Sequence, residues 1–267
     1  MLEDIGKILG TVKHAAYEAG ALLREGHQAD GRVAFEHKGA SDFVTSYDKA
    51  AEAAIIRHIS RDFPEFAFLG EESGATQGSG SDYTVVIDPL DGTNNFLHGV
   101  PHFSVSIAVT KGDELLLGVV YHPVLDEMLW AGHSIGAFLN ETRLTMSSPR
   151  PLSEMLVSTC LPYHAKGDYT TALNQLTALM PQVAGIRSPG SAALEIAYTS
   201  LGRFDAFWSQ GARLDFWDIA AGIVIAREAG CTVTDLNGDP TPDQWSSLLA
   251  AHPARHGQLL ECLNPCG

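Results

Sequence analysis

The sequence predicts an α+β / α/β protein, and three observations carry that expectation. Apolar residues recur at helical spacing over residues 2–25. Short strand-like runs, parted by turn residues, fill residues 103–146. Beyond Pro149 and Pro151, strand and helix signals alternate to the C-terminus. The chain therefore divides near residue 150, into an N-terminal α+β half, 1–150, and a C-terminal α/β half, 151–267.

In the first half, Leu2, Ile5, Ile8, Leu9, Val12, Ala16, Ala19, Leu22 and Leu23 define a long amphipathic helix. Residues 27–41 are polar and read as a loop or a weak strand pair. Thr45 or Ser46 caps the next helix, whose inner face is Ala51, Ala54, Ile55 and Ile59. Asp48, in its first turn, suits the helix dipole. Phe63-Pro64 closes that helix, and Phe66 to Leu69 is a short strand ending in Gly70-Glu71-Glu72-Ser73-Gly74. Residues 75–82 are Gly/Ser-rich and read as a mobile loop. Phe103–Thr110, Glu114–Tyr121 and Glu127–Ala131 form an antiparallel meander, and a hairpin follows through Asn140-Glu141. In the second half, strands at 155–159, 183–186, 205–208, 232–235 and 247–251 alternate with helices. Those helices cover 168–179, then 192–199 with Ser191 as cap, then 217–229, and a last one follows Pro253.

Length and composition bound the possibilities. A chain of 267 residues buries a large core. Apolar residues at 45% and charged residues at 18% are ordinary for a globular protein. No apolar run reaches the length of a membrane span and no signal-peptide h-region is present, so a cytoplasmic protein is expected. The net charge of −15 argues against a nucleic-acid surface. It also makes an anionic substrate awkward unless cations reverse the local field. Cys160, Cys231, Cys262 and Cys266 lack a second pair at zinc spacing and read as reduced thiols.

The chemistry concentrates in residues 83–99, Tyr-Thr-Val-Val-Ile-Asp-Pro-Leu-Asp-Gly-Thr-Asn-Asn-Phe-Leu-His-Gly. Thr84 to Ile87 reads as a buried strand that Asp88 ends, with Pro89 stopping the ladder. Asp88 and Asp91 bracket a turn, and the Leu90 carbonyl lies between them. These oxygens suit a hard divalent cation such as Mg²⁺. The amides of Gly92 and Thr93 follow at a helix start, where a phosphate binds well. The same composition also suits a plain surface turn. Asp218, in the first turn of the 217–229 helix, has two readings as well: dipole partner or metal ligand.

Gly70-Glu71-Glu72-Ser73, Asp88-Pro89-Leu90-Asp91-Gly92-Thr93 and Trp217-Asp218-Ile219-Ala220-Ala221-Gly222 occur in one chain in that order. Together they resemble the inositol monophosphatase family of Mg²⁺-dependent, lithium-sensitive phosphatases. Lys38 with Asp42-Phe43-Val44-Thr45 and Asp48, Asn95-Phe96-Leu97-His98-Gly99, and Gly190-Ser191-Ala192 extend the resemblance over nearly the whole chain. It implies a layered α-β-α-β-α sandwich, a homodimer, and a phosphomonoesterase acting on a small phosphate ester. The first candidate substrate is inositol 1-phosphate. Relatives on the scaffold that hydrolyse fructose 1,6-bisphosphate, histidinol phosphate or a nucleotide 3′-phosphate are alternatives. By the same resemblance, Glu71, Asp88, the Leu90 carbonyl, Asp91 and Asp218 bind two to three Mg²⁺. Leu90, Asp91, Gly92, Thr93, Gly190, Ser191, Ala192 and Asp218 face the substrate. Glu71, Thr93 and Asp48 carry catalysis, with Thr93, oriented by Asp48, and Glu71 positioning the attacking water and taking its proton. His98 and His102 are expected to be local hydrogen-bonding groups, because hard Mg²⁺ prefers oxygen. A reading of another class is a metal-binding scaffold that engages a partner and turns over little.

The pattern breaks before Trp217. Trp208-Ser209-Gln210-Gly211 has Ser209 where inositol-specific members carry a ring-contacting Glu, and the following loop is about two residues longer than usual. Arg213 in that loop reads as an exposed arginine or as a contact to a second anionic group. Asp215 is a candidate for hydroxyl binding.

Overall fold

The structure, a computed structural model, describes residues 2–29, 34–39, 42–240 and 247–264. The side chains of Lys38, Asp42 and Phe43, and all of Cys266, lie outside the described residues. Helix α1 covers Leu2–Gln28, and strands β1 (Phe35–Gly39) and β2 (Asp42–Thr45) pair antiparallel. Helix α2 runs Ser46–Asp62. Thr45 caps it, accepting from the Tyr47 and Asp48 amides, while Asp48 accepts from the Thr45 amide. This reciprocal capping box satisfies donors that an N-terminus otherwise leaves unpaired.

An eight-stranded sheet follows. Its strands are β3 (Ala67–Gly70), β4 (Gly74–Thr76), β5 (Tyr83–Asp91), β6 (Ser104–Lys111), β7 (Glu114–His122), β8 (Glu127–Gly132), β9 (Gly136–Leu139) and β10 (Thr142–Arg143). Their spatial order is β10-β9-β8-β7-β6-β5-β3-β4, with β3 and β5 parallel and the other pairs antiparallel. The loop expected at 75–82 is shortened by β4. Short helix α3 (Thr93–Leu97) leaves β5.

The second half forms a five-stranded sheet. Its strands are β11 (Leu156–Thr159), β12 (Gly185–Arg187), β13 (Ala206–Gln210), β14 (Thr232–Thr234) and β15 (Ser247–Ala251), in the order β12-β11-β13-β15-β14. Helices α4 (Tyr169–Leu179), α5 (Ala192–Thr199), α6 (Phe216–Glu228) and α7 (Pro253–Leu263) complete the chain.

Side-chain alternation along the strands sets the layers. Val85 and Ile87 of β5 face α1 and α2, while Val86 faces α5 and α6. In the second sheet, Phe207 and Leu248 face α5 and α6 from below, whereas Trp208 and Leu249 face α4 and α7. The result is the expected α-β-α-β-α sandwich, with α5 and α6 as the shared middle layer. Gly118 of β7 permits the close approach of α6: a Cβ there would lie 2.4 Å from the Ala221 carbonyl oxygen. Among the described residues, no helix is long and apolar enough to cross a membrane.

One strand departs from the sequence expectation. β5 does not end at Asp88; it continues through Pro89 to Asp91, and the register with β6 shifts between Asp88 and Asp91. The irregularity relieves Pro89 of any ladder donor, which is the setting in which a strand tolerates proline.

Candidate active site

A cleft opens where the end of β5 meets the N-termini of α5 and α6. Glu71, Asp88, Leu90, Asp91, Gly92, Thr93, Gly190, Ala192 and Asp218 all line it. Residues separated by more than a hundred positions thus meet at one place. Two candidates sit behind the lining. Ser191 is fully buried and donates its hydroxyl to Asp91 Oδ2 at 2.5 Å. Asp48 is fully buried, and its Oδ1 lies 3.3 Å from the Thr93 hydroxyl.

The register shift makes the turn. Asp88 Oδ1 accepts from the Leu90 amide at 3.0 Å, and the Leu90 carbonyl lies 3.1 Å from the Thr93 hydroxyl. Gly92 has φ 102° and caps α3, a conformation that glycine adopts without strain. The Glu71 amide donates to Ile87 O at 3.1 Å, which fixes Glu71 beside the strand end.

Asp91 does the capping that Ser191 was expected to do. Ser191 occupies the N-cap position of α5, but its side chain makes no cap bond. Asp91 instead accepts from the Ala192 and Ala193 amides at 3.1 and 2.9 Å, and from the Ser104 hydroxyl at 3.4 Å. Asp218 sits at the start of its helix as expected, its Oδ2 accepting from the Asp215 amide at 2.6 Å, and it lines the cleft.

Electrostatics mark the cleft as strongly acidic. Burial raises the Asp88 carboxyl well above its ordinary range, and the charges of Glu71, Asp91 and Asp218 push it further. Asp218 is raised likewise, by burial first and then by Asp91. Asp91 rises to about 6, burial outweighing the hydrogen bonds that favour its charge. Glu71 lies within hydrogen-bond reach of Asp88, a contact that two carboxyl groups make only by sharing a proton. Among the described residues, no three acidic, His or Cys side chains are already gathered around one ion position. The carboxylates of Asp88, Asp91 and Asp218 are turned toward the backbone and hydroxyl donors named above. The fit to a cation rests on donor chemistry: the buried oxygens of Asp88, Leu90 and Asp91 beside the half-buried Glu71 and Asp218, whose mutual repulsion a hard divalent ion would cancel.

Several supporting residues had no role assigned from the sequence, although Asn95 lies in a stretch that carries the resemblance. Ser104 alternates as a polar residue in a strand. Asn95 Nδ2 donates to His102 O at 2.7 Å and Pro189 O at 2.8 Å, joining the β5 turn to the 189–190 turn. Glu195 accepts from the Gly190 and Ser191 amides at 2.9 and 3.2 Å. A lone acid in the apolar run Ala192–Thr199 was its visible trace. Glu52, buried in α2, accepts from the Glu72 amide at 3.0 Å. His102 differs from expectation: among the described residues its Nε2 is buried without a hydrogen-bond partner, and burial lowers its pKa to about 4. Cys160, Cys231 and Cys262 are free thiols. Of the residues before Trp217, Arg213 and Leu214 line the cleft, whereas Ser209 is buried and neither it nor Asp215 is in the lining.

A layered α/β sandwich with an acidic, oxygen-rich cleft beside paired helix N-termini defines a class of phosphoric monoester hydrolase. Comparison with known proteins gives the family. The model of the inositol monophosphatase family matches residues 5–266. An inositol-1-monophosphatase of Mesorhizobium japonicum is 36% identical over 96% of each chain. The Nus factor SuhB of Escherichia coli is 40% identical, over 92% of this chain and 91% of that one. The crystal structure of the extragenic suppressor protein suhB from Bartonella henselae superposes with a TM-score of 0.92 at 36% identity, covering 97% of this chain and 99% of that one. The chain belongs to the inositol monophosphatase family.

Proposed function

We propose that the chain is a Mg²⁺-dependent phosphomonoesterase of small polyol or sugar phosphates, with inositol 1-phosphate the first candidate. One observation supports this reading above the others: Glu71, Asp88, Asp91 and Asp218 converge on the cleft that Gly92 and Thr93 also line. A bound divalent cation supplies Lewis acidity and neutralises charge that develops on the phosphoryl group. Glu71, Asp88, Asp91, Asp218 and the Leu90 carbonyl hold two to three such ions. The Gly92 and Thr93 amides hold the phosphate, and the turn at Gly190, Ser191 and Ala192 positions the ester. With its hydrogen directed at Asp48, the Thr93 hydroxyl keeps lone pairs for an attacking water, and Glu71 takes that water's proton. No protein nucleophile is needed, because positioning and charge stabilisation carry phosphoryl transfer. The protein works as a homodimer in the cytoplasm.

The test is phosphate release from inositol 1-phosphate, fructose 1,6-bisphosphate, histidinol phosphate and an adenosine 3′-phosphate. Release is expected with Mg²⁺, with inhibition by Li⁺ and loss in excess chelator. Silence on all four esters with Mg²⁺, or full activity in chelator, overturns the reading. The second reading, a metal-binding scaffold that engages a partner, draws on the relatives named Nus factor SuhB. It expects partner capture that survives loss of turnover.

A further inference from the structure

The acidic residues account for only part of the cleft lining. Tyr163, Lys166, Arg213 and Leu214 supply another part. In a chain with 17 Lys and Arg against 32 Asp and Glu, two cations facing one acidic cleft are not the compositional default. Exposure alone would let Arg213 be read as a solvated loop charge. Its loop, however, is built into a fixed wall. Tyr163 and Lys166 exchange backbone hydrogen bonds, each at 3.0 Å, which closes a tight turn. The Asp168 amide donates to Gly211 O at 2.7 Å, tying that turn to the segment that carries Arg213. Asp168 also caps α4, accepting from the Thr170 and Thr171 amides at 3.0 and 3.2 Å. Behind the wall, the Gln175 side chain donates to that of Gln210, and the Trp208 indole donates to Gln175 at 3.1 Å. Neither Ser209 nor Asp215 is in the lining, so the basic residues of this wall, Lys166 and Arg213, are the ones that line the cleft.

We propose that Lys166 and Arg213 form a second anion site in the cleft, selecting phosphate monoesters that carry another anionic group away from the scissile phosphate. The proposal rests on the phosphomonoesterase reading above and narrows its substrate class. Ammonium and guanidinium groups recognise phosphate and carboxylate alike, the guanidinium with two parallel hydrogen bonds. The site thus sorts esters by the charge at their far end, and its contribution falls with added salt.

The experiment uses three esters on one six-carbon frame: glucitol 6-phosphate, gluconate 6-phosphate and glucitol 1,6-bisphosphate. Their far ends are neutral, carboxylate and phosphate. Initial rates with Mg²⁺ at low ionic strength are compared for the native chain, Lys166→Ala, Arg213→Ala, the double variant and Arg213→Lys. Phosphate release from inositol 1-phosphate is measured alongside. The native chain is expected to favour at least one doubly anionic ester over glucitol 6-phosphate by about tenfold or more in kcat/KM. The double variant removes that ratio through KM, and Arg213→Lys retains part of it. Which doubly anionic ester gains more identifies carboxylate or phosphate as the second group. Equal loss on all three esters, or preference for the neutral one, overturns the second site and leaves the phosphatase reading intact. Absence of release from every ester, inositol 1-phosphate included, overturns both.

Discussion

Replacing Asp91 by Asn removes a negative charge and turns one acceptor oxygen into a donor. The native carboxylate accepts from Ser104, Ser191, Ala192 and Ala193. An amide in the better of its two orientations keeps its oxygen toward Ser104, Ser191 and Ala193, and sets its NH₂ against the Ala192 amide. One buried N–H is then unpaired, at a cost of about 1–3 kcal/mol. Against this stands relief of a buried charge. The Asp91 carboxyl rises from 3.8 to about 6, so its ionised form at pH 8 costs the metal-free protein about 3 kcal/mol. The two effects nearly cancel, and Asp91→Asn should fold within about 2 kcal/mol of the native chain in chelator. Turnover should not survive, since a ligand and a charge are lost from the transition state; a thousandfold fall corresponds to about 4 kcal/mol. Urea unfolding in chelator at pH 8 and phosphate release with Mg²⁺ measure the two quantities on one preparation. Activity within tenfold of native would refute the role of Asp91 in holding the cation. Destabilisation beyond about 5 kcal/mol would refute the cancellation.

Glu195, pushed up from 4.5 to about 8, and Asp91 hold protons in the native state that the unfolded chain has released. His102, held near 4, opposes them only up to the ordinary histidine range, so stability in chelator should fall as pH rises from about 6.5 to about 8. Mg²⁺ should restore it at the upper end, and a Tm that climbs with pH in chelator contradicts this. Thr93→Val should lower kcat by about a hundredfold with KM little changed, while Thr93→Ser keeps most activity, because the hydroxyl and not the methyl faces Asp48. Gly118→Ala places a Cβ 2.4 Å from the Ala221 carbonyl and should cost about 3 kcal/mol in urea unfolding. A weaker apparent affinity for Mg²⁺ should accompany it, since Asp218 rides on the same helix.

Periodicity made the layers legible. Ala51, Ala54, Ile55 and Ile59 are all buried on α2, and the meander strands fall within a residue or two of their expected bounds. Local rules failed where a distant partner decides. Pro89 reads as a strand stop, yet the strand continues because β5 itself carries one extra residue there, three steps from Asp88 to Asp91 against two from Ser106 to Ser104. Ser191 reads as a cap by its position, yet the acceptor that caps α5 is a carboxylate a hundred residues earlier. The contiguous turn from Asp88 to Thr93 was visible as chemistry because its geometry is set by neighbours in sequence. Glu52 and Glu195 were not, because each accepts from backbone amides outside its own helix. No residue-type pattern encodes such a contact. Lys166 gave no signal either, since a lysine in a polar loop is the commonest kind of surface residue.

Asp91 joins two tasks that usually compete. As the acceptor for the start of α5 it holds the middle layer against the eight-stranded sheet; as a cleft carboxylate it adds to a repulsion that the metal-free fold must bear. Buried acids of this kind reduce stability for the sake of a site, and the fold recovers the loss only when positive charge arrives. Asp88 and Asp91 belong to the first sheet and Glu71 follows its strand β3, whereas Asp218 lies in the first turn of a helix of the middle layer. On the proposed reading, cations held by these groups would bridge the layers as well as serve chemistry, and one present at a hundred times its dissociation constant would add about 2.7 kcal/mol to folding. Occupancy and docking of α5 and α6 would then be one equilibrium, read at two places in the molecule.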